Sequence, residues 1–254
     1  MYAVVSPAKK LAEPQRQLAG TTPVLMDEIS ELAHVMRGKS SQQLSDLMKI
    51  SANLADLNYA RYQTLELPFT QDNSSHAALT FAGDTYVGLD AGTLTDEDLD
   101  FAQGALGILS GLYGILRPLD LIQPYRLEMG TRLQVGAQKN LYGFWDDKIS
   151  DRINELTSDH KDRTLVNLAS NEYFSAVKPK RLDGPVITPV FKELRDGKAK
   201  VISFMAKRAR GSMARYIVQN RLSTPEGMKK FTTDGYRFTE ETSTETQWVF
   251  IRES

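Results

Sequence analysis

Three cationic side chains stand close together in the last third of the chain, in the run Lys207-Arg208-Ala209-Arg210-Gly211. Guanidinium and ammonium groups bind phosphate oxygens strongly, so this spacing indicates an anion site. The pattern around the run predicts a strand that ends before it and a helix over residues 211–221. Unpaired N–H groups at that helix N-terminus would add to the attraction for phosphate, and the interleaved small residues would let a ligand approach closely.

These cations belong to a longer basic segment, residues 176–221. The segment carries twelve Lys and Arg against three Asp and Glu, a net charge of +9, although the whole chain of 254 residues has a formal net charge of −1. Such segregation predicts one basic surface and one acidic surface, as a protein that grips the phosphate backbone of DNA or RNA requires. A solvated charged face without a partner is the alternative interpretation of the same residues.

A second set of charged residues lies in Gly- and Pro-rich surroundings. Asp84, Asp120 and Glu128 could together hold Mg²⁺ for phosphoester chemistry on a nucleotide or a damaged nucleic acid. In the alternative interpretation, Arg117 and Arg126 pair with these acids and order a long loop.

Several other chemistries are excluded by residue usage. The chain has no cysteine, which rules out disulfides, thiolate metal sites and cysteine nucleophiles. Its three histidines, at positions 34, 76 and 160, are not in ligand spacing, and no zinc motif, phosphate-binding glycine loop or dinucleotide fingerprint occurs. We therefore expect no metal and no cofactor. The absence of a signal-peptide pattern and of a long apolar run predicts a cytoplasmic protein without membrane contact.

The composition, 41% hydrophobic and 25% charged, is that of an ordinary globular protein, and no repeat or long linker divides it. The sequence predicts one compact domain over residues 1–254. Strand and helix patterns interleave without a regular βαβ rhythm, which favours an α+β fold with a mixed sheet and surrounding helices. The predicted strands are residues 2–5, 79–82, 85–87, 164–169, 186–194 and 198–206, and the predicted helices are residues 24–37, 95–112, 172–177 and 211–221, with an ordered surface loop over 111–130.

Two short helices are predicted over residues 40–62, joined at Lys49-Ile50-Ser51. Together with Leu44, Leu47 and Ala55, this turn fits the frame of a helix-hairpin-helix element, in which turn N–H groups hold a phosphate without contacting a base. Lys49 and Ser51 replace both turn glycines of that pattern. An ordinary helical hairpin packed on the core is the alternative interpretation.

The run LSGLYGILRPLDLIQPYRLEMG at residues 109–130 resembles the signature of the YaaA family of bacterial peroxide stress-response proteins. The likeness extends over nearly the whole chain. The other motifs that carry it are Ser6-Pro7-Ala8-Lys9, Gly83-Asp84 with Tyr86 and Gly88-Leu89, Asn167-Leu168-Ala169-Ser170, Glu172-Tyr173-Phe174, Val177-Lys178-Pro179-Lys180, Ile202-Ser203-Phe204, Ala206-Lys207 and Ala209-Arg210-Gly211.

The resemblance implies an unusual compact α+β fold and a cytosolic protein made under hydrogen peroxide stress. It also implies that the protein limits damage by free iron, is linked to DNA repair, and binds duplex and branched DNA through a positive cleft and a helix-hairpin-helix element. The resemblance supplies no reaction, so we carry over no catalytic residue. Lys10 stands where the family usually has threonine, so no role of a hydroxyl there is carried over.

Three hypotheses follow from the residues and the resemblance. The first, which we favour, is a DNA-binding stress protein; the second is an enzyme that uses Asp84, Asp120 and Glu128 with Arg117 and Arg126. The third is a protein that affects iron handling only through another protein. For the first hypothesis, the expected phosphate contacts are Lys9, Lys49, Ser51, Lys178, Lys180, Arg181, Lys207, Arg208, Arg210 and Arg215.

Overall fold

The apolar run Tyr2–Val5 forms the central strand of the fold, and all four of its residues are buried. In the computed structural model, which describes residues 1–13, 16 and 18–253, this strand has a parallel neighbour on each side. A strand that is covered on both faces needs apolar side chains throughout, which is why the run is continuous and does not alternate with polar residues.

Short strands and helices follow one another along the chain. The strands are β1 (Tyr2–Val5), β2 (Lys10–Leu11), β3 (Ser75–His76), β4 (Phe81–Ala82), β5 (Leu106–Ser110), β6 (Gly114–Leu116), β7 (Leu121–Ile122), β8 (Leu165–Leu168), β9 (Val186–Arg195), β10 (Lys198–Lys200), β11 (Arg237–Phe238) and β12 (Gln247–Glu253). The helices are α1 (Met26–Arg37), α2 (Ser41–Met48), α3 (Ala52–Thr64), α4 (Ala77–Thr80), α5 (Asp84–Leu89), α6 (Asp96–Ala105), α7 (Leu141–Trp145), α8 (Lys148–Leu156), α9 (Asn171–Phe174) and α10 (Ser203–Gln219).

The main sheet has the strand order β11-β12-β9-β8-β1-β5-β6, and β10 pairs with β9 outside this path. Strands β12, β9, β8, β1 and β5 are mutually parallel, whereas β6, β10 and β11 pair in the antiparallel sense. The prediction of a single α+β domain with a mixed sheet is therefore confirmed. From β1 the chain proceeds to β5 and β6 on one side, and later to β8, β9 and β12 on the other, so a crevice is expected beyond the carboxyl ends of β1 and β8.

Helices α5 and α10 pack with their backbones in contact at two glycines. A Cβ atom on Gly211 would overlap the carbonyl oxygen of Thr85, and a Cβ on Gly88 would overlap the carbonyl oxygen of Arg208. Only glycine permits this approach. The small residues around the cationic run thus serve helix packing, because Ala206, Ala209 and Gly211 are all buried in α10.

Several predicted elements are confirmed. The strand at residues 2–5, the helix at 24–37, the two helices within 40–62 and the strand at 164–169 correspond to β1, α1, α2 with α3, and β8. The turn after β9 contains Asp196 and Gly197, whose φ angles of 49° and 71° explain why Asp-Gly occurs there. The helix predicted at 172–177 is shorter and lies at Asn171–Phe174.

Three predictions between residues 77 and 112 were wrong. Residues 85–87 lie in a helix, α5, and only the last two residues of the predicted strand 79–82 are extended. The helix predicted over 95–112 ends at Ala105, although its Thr95–Asp98 capping box is present. Residues 106–110 form β5 instead, since a short, fully buried apolar run fits a central strand as well as a helix.

The segment 111–130 is not a surface loop. Most of its apolar side chains are buried, among them Tyr113, Ile115 and Met129. Its polar groups are satisfied inside the protein: the Tyr113 hydroxyl donates to the Gln123 carbonyl oxygen at 3.2 Å and accepts from the Gln123 N–H at 3.0 Å. Internal hydrogen bonds of this kind allow an irregular segment to be buried.

The predicted strand 198–206 is also wrong beyond Lys200, because α10 begins at Ser203. The cationic run Lys207–Arg210 therefore lies inside a helix and not at its N-terminus, so the predicted contribution of unpaired N–H groups there is lost. Among the described residues, no helix is long and apolar enough to cross a membrane.

The α5–α10 contact predicts a stability defect for Gly211→Ala. We expect the free energy of unfolding to fall by at least about 2 kcal/mol, because the added methyl forces the two backbones apart. Gly104→Ala in α6 is the matched control, since nothing lies within 4 Å of a Cβ there; we expect a gain of about 0.5–1 kcal/mol from helix propensity. Denaturant unfolding of both variants measures the difference, and an unchanged Gly211→Ala would contradict the packing described.

Candidate functional site

A pocket of about 440 Å³ opens beyond the carboxyl ends of β1 and β8, and we call it the strand-end pocket. Segments from the N-terminal strand, α5, the 111–130 region, α9 and α10 meet around it. Its charged side chains comprise four cations and three carboxylates: Lys9, Lys10, Lys207, Arg210, Asp84, Glu128 and Glu172.

The two strand ends that form the pocket are tied together by two serines. The Ser170 N–H donates to the Ser6 Oγ at 2.9 Å, and the Ser6 hydroxyl donates to the Ser170 Oγ at 3.3 Å. The Tyr86 hydroxyl of α5 donates to the Ser6 carbonyl oxygen at 3.1 Å. These bonds fix the positions of β1, β8 and α5 relative to one another, and they leave the Ser170 hydroxyl proton without an acceptor among the described residues.

Helix α10 contributes two cations to the pocket, Lys207 and Arg210, which are three residues apart and so lie on one helix face. Neither side chain forms an ion pair or a hydrogen bond with any residue that the structure describes. Partial burial lowers the pKa of the Arg210 guanidinium through desolvation, yet arginine remains charged at neutral pH. Helix α10 thus contributes to the pocket two positive charges that form no ion pair with a described residue.

Three carboxylates line the same pocket. Glu128 accepts from Lys9 at 2.9 Å and from Arg126 at 3.1 Å, so it is shared by two cations. One Glu172 oxygen accepts from the Gly130 N–H at 3.0 Å. Asp84 is exposed and forms no ion pair with a described residue. Asp84 and Glu128, both considered for phosphoester chemistry, therefore line the same pocket.

Asp120 lies elsewhere. It is fully buried, pairs with Arg117 at 2.8 Å, and accepts a hydrogen bond from the Thr21 hydroxyl at 2.6 Å. Burial raises the pKa of the Asp120 carboxyl, and the hydrogen bonds from Arg117 and Thr21 oppose this shift. The structure does not bring Asp84, Asp120 and Glu128 together, and within residues 1–13, 16 and 18–253 no cluster of three potential metal ligands occurs. Arg117 and Asp120 instead order the chain between β6 and β7.

Two cations near α9 are paired with acids at the start of α8 or just before it. The Lys178 Nζ lies 2.5 Å from Asp146, whose hydrogen bond raises the pKa of Lys178. The Arg181 Nε lies 2.6 Å from Asp151, and this bond lowers the pKa of the Asp151 carboxyl. Neither cation lines the strand-end pocket, so the structure separates both from Lys207 and Arg210.

Three further predicted phosphate contacts, Arg208, Arg215 and Lys180, do not line the pocket. Arg208 lies 3.9 Å from Asp234, on another face of α10. Arg215 donates to the carbonyl oxygens of Leu89 and Asp90 at 3.1 and 2.7 Å, and so closes the C-terminal end of α5. Lys180 is exposed in a short 3₁₀ turn and does not line the pocket.

The helical hairpin borders a second cavity, of about 550 Å³, that is lined by Lys49 and Arg132. Glu128 and Glu172 line both cavities, so the two adjoin at these residues, and together we call them the cleft. Lys49 ends α2 with φ 56° and ψ 49°, the left-handed conformation that glycine adopts in the helix-hairpin-helix frame. Ser51 precedes α3 and its side chain caps nothing.

The hairpin also packs on the core, as its alternative interpretation requires. Leu44 and Ala55 are completely buried. The N–H groups of Lys49 and Ile50 both donate to the Ser45 carbonyl oxygen, and the Ser45 hydroxyl donates back to the Ile50 carbonyl oxygen at 2.8 Å. A phosphate at this turn would therefore depend on the Lys49 side chain and on N–H groups from Ser51 onward.

Sequence reasoning missed several polar residues of the cleft, among them Lys10, Arg132, Ser170 and Glu172. A usable signal existed for Ser170, because Ser6 and Ser170 each follow the end of a buried strand. Polar residues at the carboxyl ends of neighbouring parallel strands meet at one edge of a sheet. The sequence did not indicate that β1 and β8 are neighbours, so it did not predict that Ser6 and Ser170 lie close together.

The buried position of Asp120 predicts that Arg117→Met lowers the free energy of unfolding by about 3 kcal/mol at neutral pH, since it leaves a buried carboxylate unpaired. The deficit should shrink as the pH falls through the raised pKa of Asp120, because the carboxyl is then neutral. Arg181→Met removes an exposed pair and should cost at most about 1 kcal/mol. Urea unfolding at two pH values tests this, and equal losses in both variants would contradict it.

Comparison with known proteins agrees with the motifs above. The family model described as "Peroxide stress protein YaaA" matches residues 1–242. A UPF0246 protein of Magnetococcus marinus is 52% identical over 255 residues, and one of Saccharophagus degradans is 50% identical over 254 residues; each match covers 99% of both chains. The chain belongs to the YaaA family of peroxide stress proteins.

Proposed function

We propose that this protein acts in the cytoplasm during peroxide stress by binding double-stranded and structured DNA at the cleft, without strong sequence preference. The observation that carries the proposal is that Lys207 and Arg210 line the cleft and have no counterion among the described residues. Phosphate oxygens are the natural partners of such cations, and contacts to the DNA backbone carry no direct sequence information.

The proposal uses a narrower set of cations than the sequence indicated. Lys207, Arg210 and Lys10 are the strongest candidates, and Lys9 adds charge at the pocket rim although Glu128 neutralises it in part. Lys178 and Arg181 are each held by a carboxylate, so a phosphate would have to displace that partner. We propose the first three as the main phosphate contacts.

The hairpin supplies a second contact in this proposal. Lys49 lies at the far end of the cleft, beyond the shared residues Glu128 and Glu172. A nucleic acid that follows the cleft would therefore meet cations at both ends. This arrangement supports the hairpin as a positioning contact and gives it no part in base recognition.

Salt dependence tests the DNA proposal. Each phosphate contact contributes about 0.9 to the slope of log K against log salt, so Lys207→Gln with Arg210→Gln should lower the magnitude of the slope by about 2 and weaken binding to a duplex. The matched control is Lys178→Gln with Arg181→Gln, which removes two charges from the same basic segment. We expect the control to keep the slope of the unmodified protein in fluorescence anisotropy titrations.

Two outcomes would contradict the proposal. Equal changes of slope in both double variants would mean that only the net charge of the basic segment matters. No change in the Lys207/Arg210 variant, with its fold intact by circular dichroism, would remove the cleft from DNA binding.

We further propose that DNA binding limits iron-dependent damage, as the family's link to peroxide stress suggests. Supercoiled plasmid treated with ferrous iron and hydrogen peroxide should be nicked more slowly in the presence of the protein. The Lys207→Gln, Arg210→Gln variant should lose this effect, whereas the Lys178→Gln, Arg181→Gln variant should retain it. Equal protection by both variants would show that shielding does not depend on binding at the cleft.

A further inference from the structure

The strand-end pocket has the position of a small-molecule site in an open sheet. It lies beyond the carboxyl ends of β1 and β8, where the connections from β1 and those from β8 run to opposite sides of the sheet. Ligands of open sheets with parallel strands bind at such a switch point. Its volume of about 440 Å³ falls within the range of roughly 300–1,000 Å³ that is usual for small-molecule sites.

The two α10 cations in the pocket favour the binding of an anion. Lys207 and Arg210 project from the same face of α10 and have no protein partner among the described residues. Holding a guanidinium partly out of water without a counterion is unfavourable, as the lowered pKa of Arg210 indicates. A phosphate group would supply the missing charge and could bind both side chains.

The carboxylates that line the pocket need hydrogen-bond donors from a ligand. Asp84 has no ion-pair partner within the described chain, and one oxygen of Glu172 is left over after the bond from the Gly130 N–H. Carboxylates only accept hydrogen bonds when ionised, and they repel a bare anion. A ligand that fills the pocket therefore carries hydroxyl or amino groups in addition to its phosphate.

We propose that the strand-end pocket binds a phosphorylated sugar, either a free sugar phosphate or a nucleoside 5′-monophosphate. The phosphate contacts Lys207 and Arg210, and the sugar hydroxyls donate to Asp84 and Glu172. The Ser170 hydroxyl, which has no acceptor among the described residues, donates to the ligand from the end of β8. This site does not rest on DNA binding, because the ligand is a single unit and not a polymer.

The first experiment is isothermal titration of the full chain with ribose 5-phosphate, adenosine 5′-monophosphate, inorganic phosphate and ribose. We expect saturable binding of one or both esters, and at least tenfold weaker binding of inorganic phosphate and ribose. Tighter binding of the nucleotide would assign the base to the pocket as well, whereas equal binding of the two esters would limit recognition to the sugar phosphate. Absence of saturable ester binding, or phosphate binding as tight as ester binding, would overturn the proposal.

Substitutions on α10 test whether the esters bind in the strand-end pocket. Arg210→Gln should weaken ester binding by about tenfold or more, because it removes a charge-assisted hydrogen bond. Arg208→Gln, on the same helix but beside Asp234, is the matched control and should stay within about twofold of the unmodified protein. Lys207→Gln replaces an exposed side chain and provides a second variant if Arg210→Gln is unstable. Equal losses in Arg208→Gln and Arg210→Gln would overturn the assignment.

The Asp84→Asn variant distinguishes this proposal from DNA binding, because the change should weaken ester binding but should not weaken duplex binding. Removing a negative charge should leave duplex binding unchanged or strengthen it. The same change should weaken ester binding by about tenfold, since a charged hydrogen-bond acceptor is lost. If DNA binds and the esters do not, the DNA proposal stands alone; if the esters bind and DNA does not, only the pocket proposal survives. An Asp84→Asn variant that binds esters normally would remove the carboxylate from the site.

Discussion

The backbone contact between α5 and α10 is the constraint on which the strand-end pocket depends. Gly88 and Gly211 let the two helices approach until side chains of larger residues would collide with carbonyl oxygens. This contact brings Asp84, at the start of α5, and Lys207 and Arg210, on α10, to the same pocket. The Tyr86–Ser6 hydrogen bond then ties the same helix to the end of β1. Asp84, Lys207 and Arg210 are consequently placed by close packing of the two helices and not by ion pairs with described residues.

The residues that lie beside each cation in the folded protein decide whether that cation is free to bind a phosphate. The segment 176–221 carries a net charge of +9 in the sequence, but acids from distant parts of the chain lie beside many of its cations. Asp146 and Asp151 meet Lys178 and Arg181, and the residues that meet Arg215 are the end of α5. Each of these carboxylates makes the potential around its cation less positive, so the paired cations attract a phosphate less than Lys207 and Arg210 do.

Much of the fold could be predicted from the sequence, but the site could be predicted only in part. Strand Tyr2–Val5, helix α1 and the hairpin helices had clear periodicity or a continuous apolar run. Predictions failed at residues 106–110 and 203–210, where a short run is compatible with both strand and helix and tertiary packing decides. The error in α10 mattered most, because it placed the cations at a helix end and assigned helix-packing glycine and alanine residues to ligand approach.

The carboxylates were harder to place than the cations. Asp84, Asp120 and Glu128 lie in similar sequence surroundings, yet Asp120 is buried against Arg117 while the other two line the pocket. Sequence carries little information about this difference, since it arises from which side of the sheet each loop crosses. The resemblance to the YaaA family supplied the motifs but not their roles, and several of those motifs, including Ser6, Asp84, Ser170 and Arg210, meet at one pocket.

The mixed charge of the pocket bears on how the two proposals fit together. A duplex presents a dense row of phosphates, and Asp84, Glu128 and Glu172 would repel any phosphate that entered deeply. Cations at the rim of the cleft, such as exposed Lys10 and Lys49, can meet a polyanion without this penalty. The interior suits a single phosphate whose attached sugar satisfies the carboxylates. Lys207 and Arg210 take part in both proposals, so a duplex and a single phosphorylated sugar would compete for these two cations, and the carboxylates of the pocket favour the single unit there.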